Sequence, residues 1–239
     1  MIPLQRVELS TRAQRLLTTW TADVATAGGT TAAARDHWTR AKAAKKHVRT
    51  ALEGMTRGAA RCMYCDDSRA TDIDHFQPLD NAPYRAFVWL NHLLACSWCN
   101  SNEKREQYPV DATGACLLVD PTAEDPADHL ELLLGSGEYT AVDGSPKGEA
   151  TISVFGLNRH DLVRGRQVAF RRACSNLRDW HNLVEEDDPE ADELAQALQD
   201  SPFIDVVHAM TRLDPGLAPK VVGQRTVPAL DAWRAAFGI

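Results

Sequence analysis

Four cysteines fall into two Cys-x-x-Cys pairs, Cys62 with Cys65 and Cys96 with Cys99. Each pair closes a tight turn that offers two thiolates to one ion, and four thiolates suit one tetrahedral zinc. With every corner supplied by protein, such a zinc is structural. An iron–sulfur cluster could take the same four thiolates, although nothing else in the chain suggests redox work. The thirty residues between the pairs exceed what a zinc ribbon needs. They hold the dyad Asp74-His75 and then Asn91, while Asn100 directly follows Cys99 and Lys104 stands four residues on. A neutral imidazole can take a proton from water near physiological pH. Carboxylate and amide oxygens are hard ligands that suit a second, catalytic cation.

In order and offset these residues resemble the HNH nuclease family. Its pattern is a CxxC, a strand ending in Asp-His, an Asn in the next loop, then a CxxC running into a helix with Asn or His and a Lys. Cys62, Cys65, Asp74, His75, Asn91, Cys96, Cys99, Asn100 and Lys104 occupy those places. The resemblance implies an α+β fold: a ββα-metal nuclease unit with a structural zinc, embedded in a mainly helical frame. It also implies roles. His75 is the general base. Asp74 and Asn100 bind Mg²⁺ or Mn²⁺. Asn91 orients the imidazole or its loop, and Lys104 touches the phosphate. His92, beside Asn91, competes as a ligand.

Downstream, DATGACLLVDPTAEDPADHLELL and ATISVFGLNRHDLVRGRQVAFRR are similar to the HNH subunit of Septu-type and retron-associated anti-phage systems. The likeness covers residues 62 to 173. It departs mildly where that subfamily often shows Lys-Gly-Asp-x-Phe-Pro and this chain has Lys104, Arg105, Glu106, Gln107, Tyr108 and Pro109. The resemblance implies a DNA-cleaving effector, with an ATPase of the ABC or SMC-like type as partner. Two alternatives stay open: the same site acting on RNA such as tRNA, or a non-catalytic zinc module that binds nucleic acid or protein.

The chain has 239 residues and a net charge of −7, which does not advertise a nucleic-acid binder. The distribution says more. Residues 35 to 61 hold Arg35, Arg40, Lys42, Lys45, Lys46, Arg49, Arg57 and Arg61 against Asp36 and Glu53. Residues 159 to 178 hold six arginines against Asp161, and residues 179 to 200 hold nine acids with no Lys or Arg. Either basic tract could face a phosphate backbone or be a solvated helix face. No run of eighteen apolar residues exists, so no membrane span is expected. The first residues lack a charged-then-apolar signal segment, so a cytoplasmic location is expected. Cys116 and Cys174 are expected to be unligated.

Three regions must position these groups. Residues 1–60 read as a helical hairpin, with helices over 11–27 and 32–53. Residues 61–110 hold the nuclease unit. ATDIDHF reads as a strand, CSWCNSNEKREQY as the metal-presenting helix, and Tyr64, Trp89 and Trp98 as packing for the zinc knuckles. Residues 111–239 read as mainly helical with a small strand segment. CLLVD and HLELLL look like strands, Asn158 can cap a long helix over 159–184, and a terminal helix runs over 227–237 with Leu230, Trp233 and Phe237 inward.

Overall fold

Helix α1 spans Thr11–Thr26 and begins where the Ser10 hydroxyl accepts from the Ala13 amide. It ends at Gly28 and Gly29, whose φ angles of +92° and +62° suit glycine. Ala13, Leu17 and Val24 form its buried stripe. The computed structural model describes residues 1–56, 58–67 and 69–237, so Arg57 of the first basic tract lies outside the described residues.

The single helix expected over 32–53 is two, α2 (Thr31–Arg40) and α3 (Lys42–Glu53). They part at Ala41, with φ −74° and ψ 50°. No Gly or Pro marks the break. Ala41 is buried, so packing rather than local propensity sets it. The bend lets α2 lay Trp38 against the central hairpin, while α3 packs on the second strand through its buried Ala44, Val48 and Leu52 face.

That hairpin is β1 (Asp72–His75) paired antiparallel with β2 (His92–Ala95). Asp72 faces Ala95 and His75 faces His92. All of β2 is buried, so the ladder runs through the core. The connection folds over its end in two short 3-10 turns, Pro83–Arg85 and Trp89–Asn91. After the second Cys pair the chain winds as a π-helix over Trp98–Lys104. The helix expected through Tyr108 stops there, because Arg105 takes a φ of +49°.

A second hairpin, β3 (Leu130–Leu133) with β4 (Glu138–Ala141), opens the C-terminal region. CLLVD is not a strand. It makes one isolated bridge, Cys116 to Val110. Helix α4 spans Pro146–Val154 and α5 His160–Glu185. Asn158 does not cap α5. Its amide instead clips β4, accepting from the Tyr139 N–H (2.7 Å) and donating to its carbonyl (2.8 Å). Helices α6 (Glu190–Gln199), α7 (Ile204–Thr211), α8 (Ala218–Val221) and α9 (Val227–Phe237) complete the region. The sequence pattern did not signal α7 or α8. Helices α6, α7 and α9 pack on α5, and Trp180 meets Trp233 edge-on at 5.0 Å. Leu230 and Trp233 are buried, whereas Phe237 is exposed with one side of its ring on Trp233. The acids at α6's start face solvent, and no helix is long and apolar enough to cross a membrane among the described residues.

Candidate active site and zinc centre

All four paired cysteines are buried, with their sulfurs within 4.8 Å of one another. Cys65 and Cys96 sulfurs lie 3.9 Å apart. Backbone turns build each half: Asp66 N–H donates to the Cys62 carbonyl (2.9 Å), and Cys99 N–H to Cys96 Sγ (3.4 Å). The Met63 N–H on the Leu94 carbonyl (2.9 Å) fastens the first turn to β2. Four soft donors converging in a dry pocket fit a structural zinc, with no position left open. Among the described residues this is the cluster of Cys, His and acidic groups that can hold a metal. Cys116 and Cys174 stand outside it, half-buried. Arg159 reaches it from the start of α5, 3.7 Å from Cys99 Sγ. Gly156, three residues before Arg159, has a φ of +54°, and a Cβ there would lie 2.9 Å from Glu103 Cδ. The cationic guanidinium offsets thiolate charge and orients a ligand sulfur.

Side chains alternate along β1, so Asp72 and Asp74 share one face and His75 takes the other. The contacts follow that division. Asp74 is buried, and both its oxygens have partners. Oδ2 accepts from the Tyr64 hydroxyl (2.5 Å) and Oδ1 from the Lys104 ammonium (3.0 Å). Lys104 also donates to the His75 carbonyl (2.8 Å). Asn100 Nδ2 donates to Asp72 Oδ2 (3.1 Å). Burial and neighbouring Asp74 push the Tyr64 pKa well up, which keeps its hydroxyl a donor.

Two expectations change here. Lys104 has no exposed surface, so in this arrangement its ammonium meets a carboxylate rather than a substrate phosphate. Asp74 and Asn100 are not brought together on a common point by any contact, and Lys104 already neutralises Asp74. As they stand, these residues do not fit a Mg²⁺ or Mn²⁺ ion.

On the opposite face the His75 ring is partly exposed, and its Nε2 lies 3.0 Å from the Ala86 carbonyl. A carbonyl only accepts, so Nε2 carries the proton and Nδ1 keeps the lone pair. Burial lowers the His75 pKa, with Lys104 adding to the effect, so the ring is neutral near physiological pH. Asn91 holds the loop that supplies this carbonyl. Its Oδ1 accepts from the Gln77 N–H (2.8 Å), and its Nδ2 donates to the carbonyls of Gln77 (3.0 Å) and Arg85 (3.3 Å). Arg85 directly precedes Ala86. His92, expected as a competing ligand, is fully buried and turned to the same carbonyl (2.9 Å), with its pKa well below normal through burial. Trp38 packs on both rings, edge-on to His75 at 4.5 Å and stacked on His92 at 5.0 Å.

Several participants were not singled out from sequence as functional. Trp38 read as core, and Tyr64 as packing for the first Cys pair. Tyr64 does stack on Phe155 at 3.9 Å, but its hydroxyl also serves Asp74. Trp89 packs under Arg6 near the N-terminus, and Trp98 is half exposed rather than packed. Asp72 carried a usable signal, since strand alternation puts it beside Asp74. Arg159 carried none in its spacing.

Fold and site together define an α+β protein in which a cluster of four buried cysteines able to hold a zinc ion stands beside a short Asp/His hairpin. Over 148 residues, 50% of this chain, it is 29% identical to the Septu protein PtuB of Bacillus mycoides, covering 49% of that protein. Over 124 residues it is 25% identical to the Septu protein PtuB of Bacillus thuringiensis, covering 50% of this chain and 44% of the relative. The chain thus spans about half the length of the curated relatives it matches. No family model matches it.

Proposed function

We propose that this chain is an HNH-type endonuclease that hydrolyses phosphodiester bonds in nucleic acid, DNA first, as an effector in anti-phage defence. One observation carries the reading: an Asn91-stitched loop turns the Ala86 carbonyl onto His75 Nε2, which leaves the lone pair on Nδ1 and supports a base role for it. That is the arrangement a general base needs, with its tautomer fixed and its pKa held low enough to stay neutral. The order of hairpin, Cys pair and short helix supports the HNH assignment, and the likeness to two Septu proteins supports the defence setting.

In this scheme His75 Nδ1 takes a proton from water. The resulting hydroxide attacks phosphorus in line with the leaving oxygen. The new P–O bond forms as the P–O3′ bond breaks, and the 3′ oxygen takes a proton from solvent. Asn91 is a positioning residue that acts through Ala86. Cys62, Cys65, Cys96 and Cys99 would hold a zinc ion whose part would be to fasten the two turns that frame β1 and β2, with no open position for chemistry. A catalytic Mg²⁺ or Mn²⁺ belongs to the HNH reading, but Asp74, held by Tyr64 and Lys104, and Asn100, held on Asp72, do not fit it as they stand, and no step is routed through it. We further propose an ATPase partner of the ABC or SMC-like type, as the resemblance to Septu-type systems implies; a net charge of −7, which opposes unaided approach to a polyanion, is compatible with a partner that supplies binding.

The test is cleavage of duplex DNA, single-stranded DNA and tRNA, each with Mg²⁺, Mn²⁺ or chelator, with and without a candidate ATPase partner. Cleavage of any of these supports a nuclease, and the preferred substrate ranks DNA against RNA. The sealed Asp74–Lys104 pair favours a second reading, a zinc module that binds without cutting. Binding with no cleavage under every condition would establish it.

A further inference from the structure

The two basic tracts differ once their side chains are placed. Of the second tract, Arg159, Arg166 and Arg178 turn inward, while Arg164, Arg171 and Arg172 stay exposed. Arg159 meets Cys99, Arg166 donates to the Gly137 and Leu157 carbonyls, and Arg178 donates to Thr226. Arg61, at the end of the first tract, likewise donates to the Asp67 and Asp200 carbonyls. Helix α3 is different. Lys42, Lys45, Lys46 and Arg49 recur at helical spacing on the side away from its buried Ala44, Val48 and Leu52. Lys42, Lys45 and Lys46 have no ion-pair partner among the described residues, although Lys45 donates to the Thr39 carbonyl (3.4 Å); Arg49, at the end of the stripe, donates to the Ala70 and Thr71 carbonyls and has a long contact with Glu53 at 3.7 Å. Like charges at these spacings repel, and no acid relieves them along the stripe until Glu53 at its far end.

The stripe also has a place in the site. The Lys45 ammonium lies 5.8 Å over the Trp38 ring, and the edge of that ring meets His75 at 4.5 Å. From Lys42 to Arg49 the helix advances about 10 Å, the axial length of about three nucleotides of one strand.

We infer that this face of α3 is a track for the phosphate backbone of a nucleic-acid strand, delivering that strand to His75. The inference rests on the nuclease reading for its geometry, but its test does not need cleavage. Labelled duplex DNA and single-stranded DNA are titrated by anisotropy against the full chain carrying His75→Ala, from low to physiological salt. The same chain carrying Lys42→Gln, Lys45→Gln and Lys46→Gln is compared with it at equal zinc content. The logarithmic salt slope becomes shallower by about 0.9 for each lost charge on duplex, or about 0.7 on a single strand. Lys220→Gln, an exposed lysine on α8, leaves the slope unchanged. An unchanged slope in the triple variant overturns the track. So does an equal drop per charge from Lys220→Gln, and so does absence of binding at low salt. Failure of the nuclease reading looks different: the His75-intact chain does not cut, while the triple variant still loses its share of the slope.

Discussion

Replacing Lys104 with Met tests the buried heart of the site. Methionine keeps much of the apolar stem and removes the ammonium that lies 3.0 Å from Asp74 Oδ1 and 2.8 Å from the His75 carbonyl. Asp74 is then a carboxylate shut away from water with one hydroxyl partner, Tyr64. Breaking a buried pair by removing one member costs about 3–5 kcal/mol, whereas replacing both charges is often near neutral. Lys104→Met should therefore lower the unfolding free energy by about 3–5 kcal/mol. Adding Asp74→Asn should recover part of that loss, with a coupling of about 0.5–3 kcal/mol. Urea unfolding of zinc-saturated protein, followed by tryptophan fluorescence, measures each corner of the cycle, and an unchanged m-value certifies the comparison. Freeing Asp74 also exposes it to competition: Mn²⁺ should raise the Tm of Lys104→Met while leaving the parent little changed. A loss below about 1 kcal/mol, or strictly additive single effects, would refute the view that Lys104 neutralises Asp74.

Three further outcomes are expected. Cys96→Ser should lose the zinc and with it soluble, folded protein, and a stable, fully active, zinc-free variant by metal analysis would contradict a structural centre. Asn91→Ala should cost about 1–3 kcal/mol by stranding buried groups of Gln77 and Arg85, and on the proposed function should lower kcat more than it moves KM; unaltered kcat would remove its positioning role. Burial lowers the pKa of His75, His92 and His208, the last to about 4. The unfolded chain therefore takes up protons first, so these groups stabilise the fold above about pH 6.5 and lose that effect as pH falls toward their folded values. Denaturant midpoints at pH 7.5 and 5.5, with zinc content followed in parallel, should fall at the lower pH, and a rise would reverse the sign.

The cysteine centre was legible because its ligands come from two local turns whose spacing is written in the chain. The order of strand, loop and short helix was legible for the same reason, and so was the helical stripe of α1. What failed depended on distant packing. Ala41 breaks a helix without a breaker residue because α2 and α3 must cover different parts of the hairpin. Lys104 read as a contact to the substrate phosphate, yet the winding of Trp98–Lys104 turns it onto Asp74. Residues 159 to 178 read as one basic tract, but Arg159, Arg166 and Arg178 reach a sulfur, carbonyls and a hydroxyl, while Arg164, Arg171 and Arg172 stay at the surface. Nothing in a charge count separates the inward arginines from the lysines of α3.

The central claim is that His75 is the base of a phosphodiester hydrolase. Its most direct test is duplex DNA cleavage by the parent and by His75→Ala, at matched zinc content and matched Tm, with the proposed ATPase and with Mg²⁺ or Mn²⁺ present. The account predicts that His75→Ala keeps its zinc and fold while cleavage falls by about 10²-fold or more, the contribution of a positioned general base. Cleavage by His75→Ala within a few-fold of the parent would contradict it.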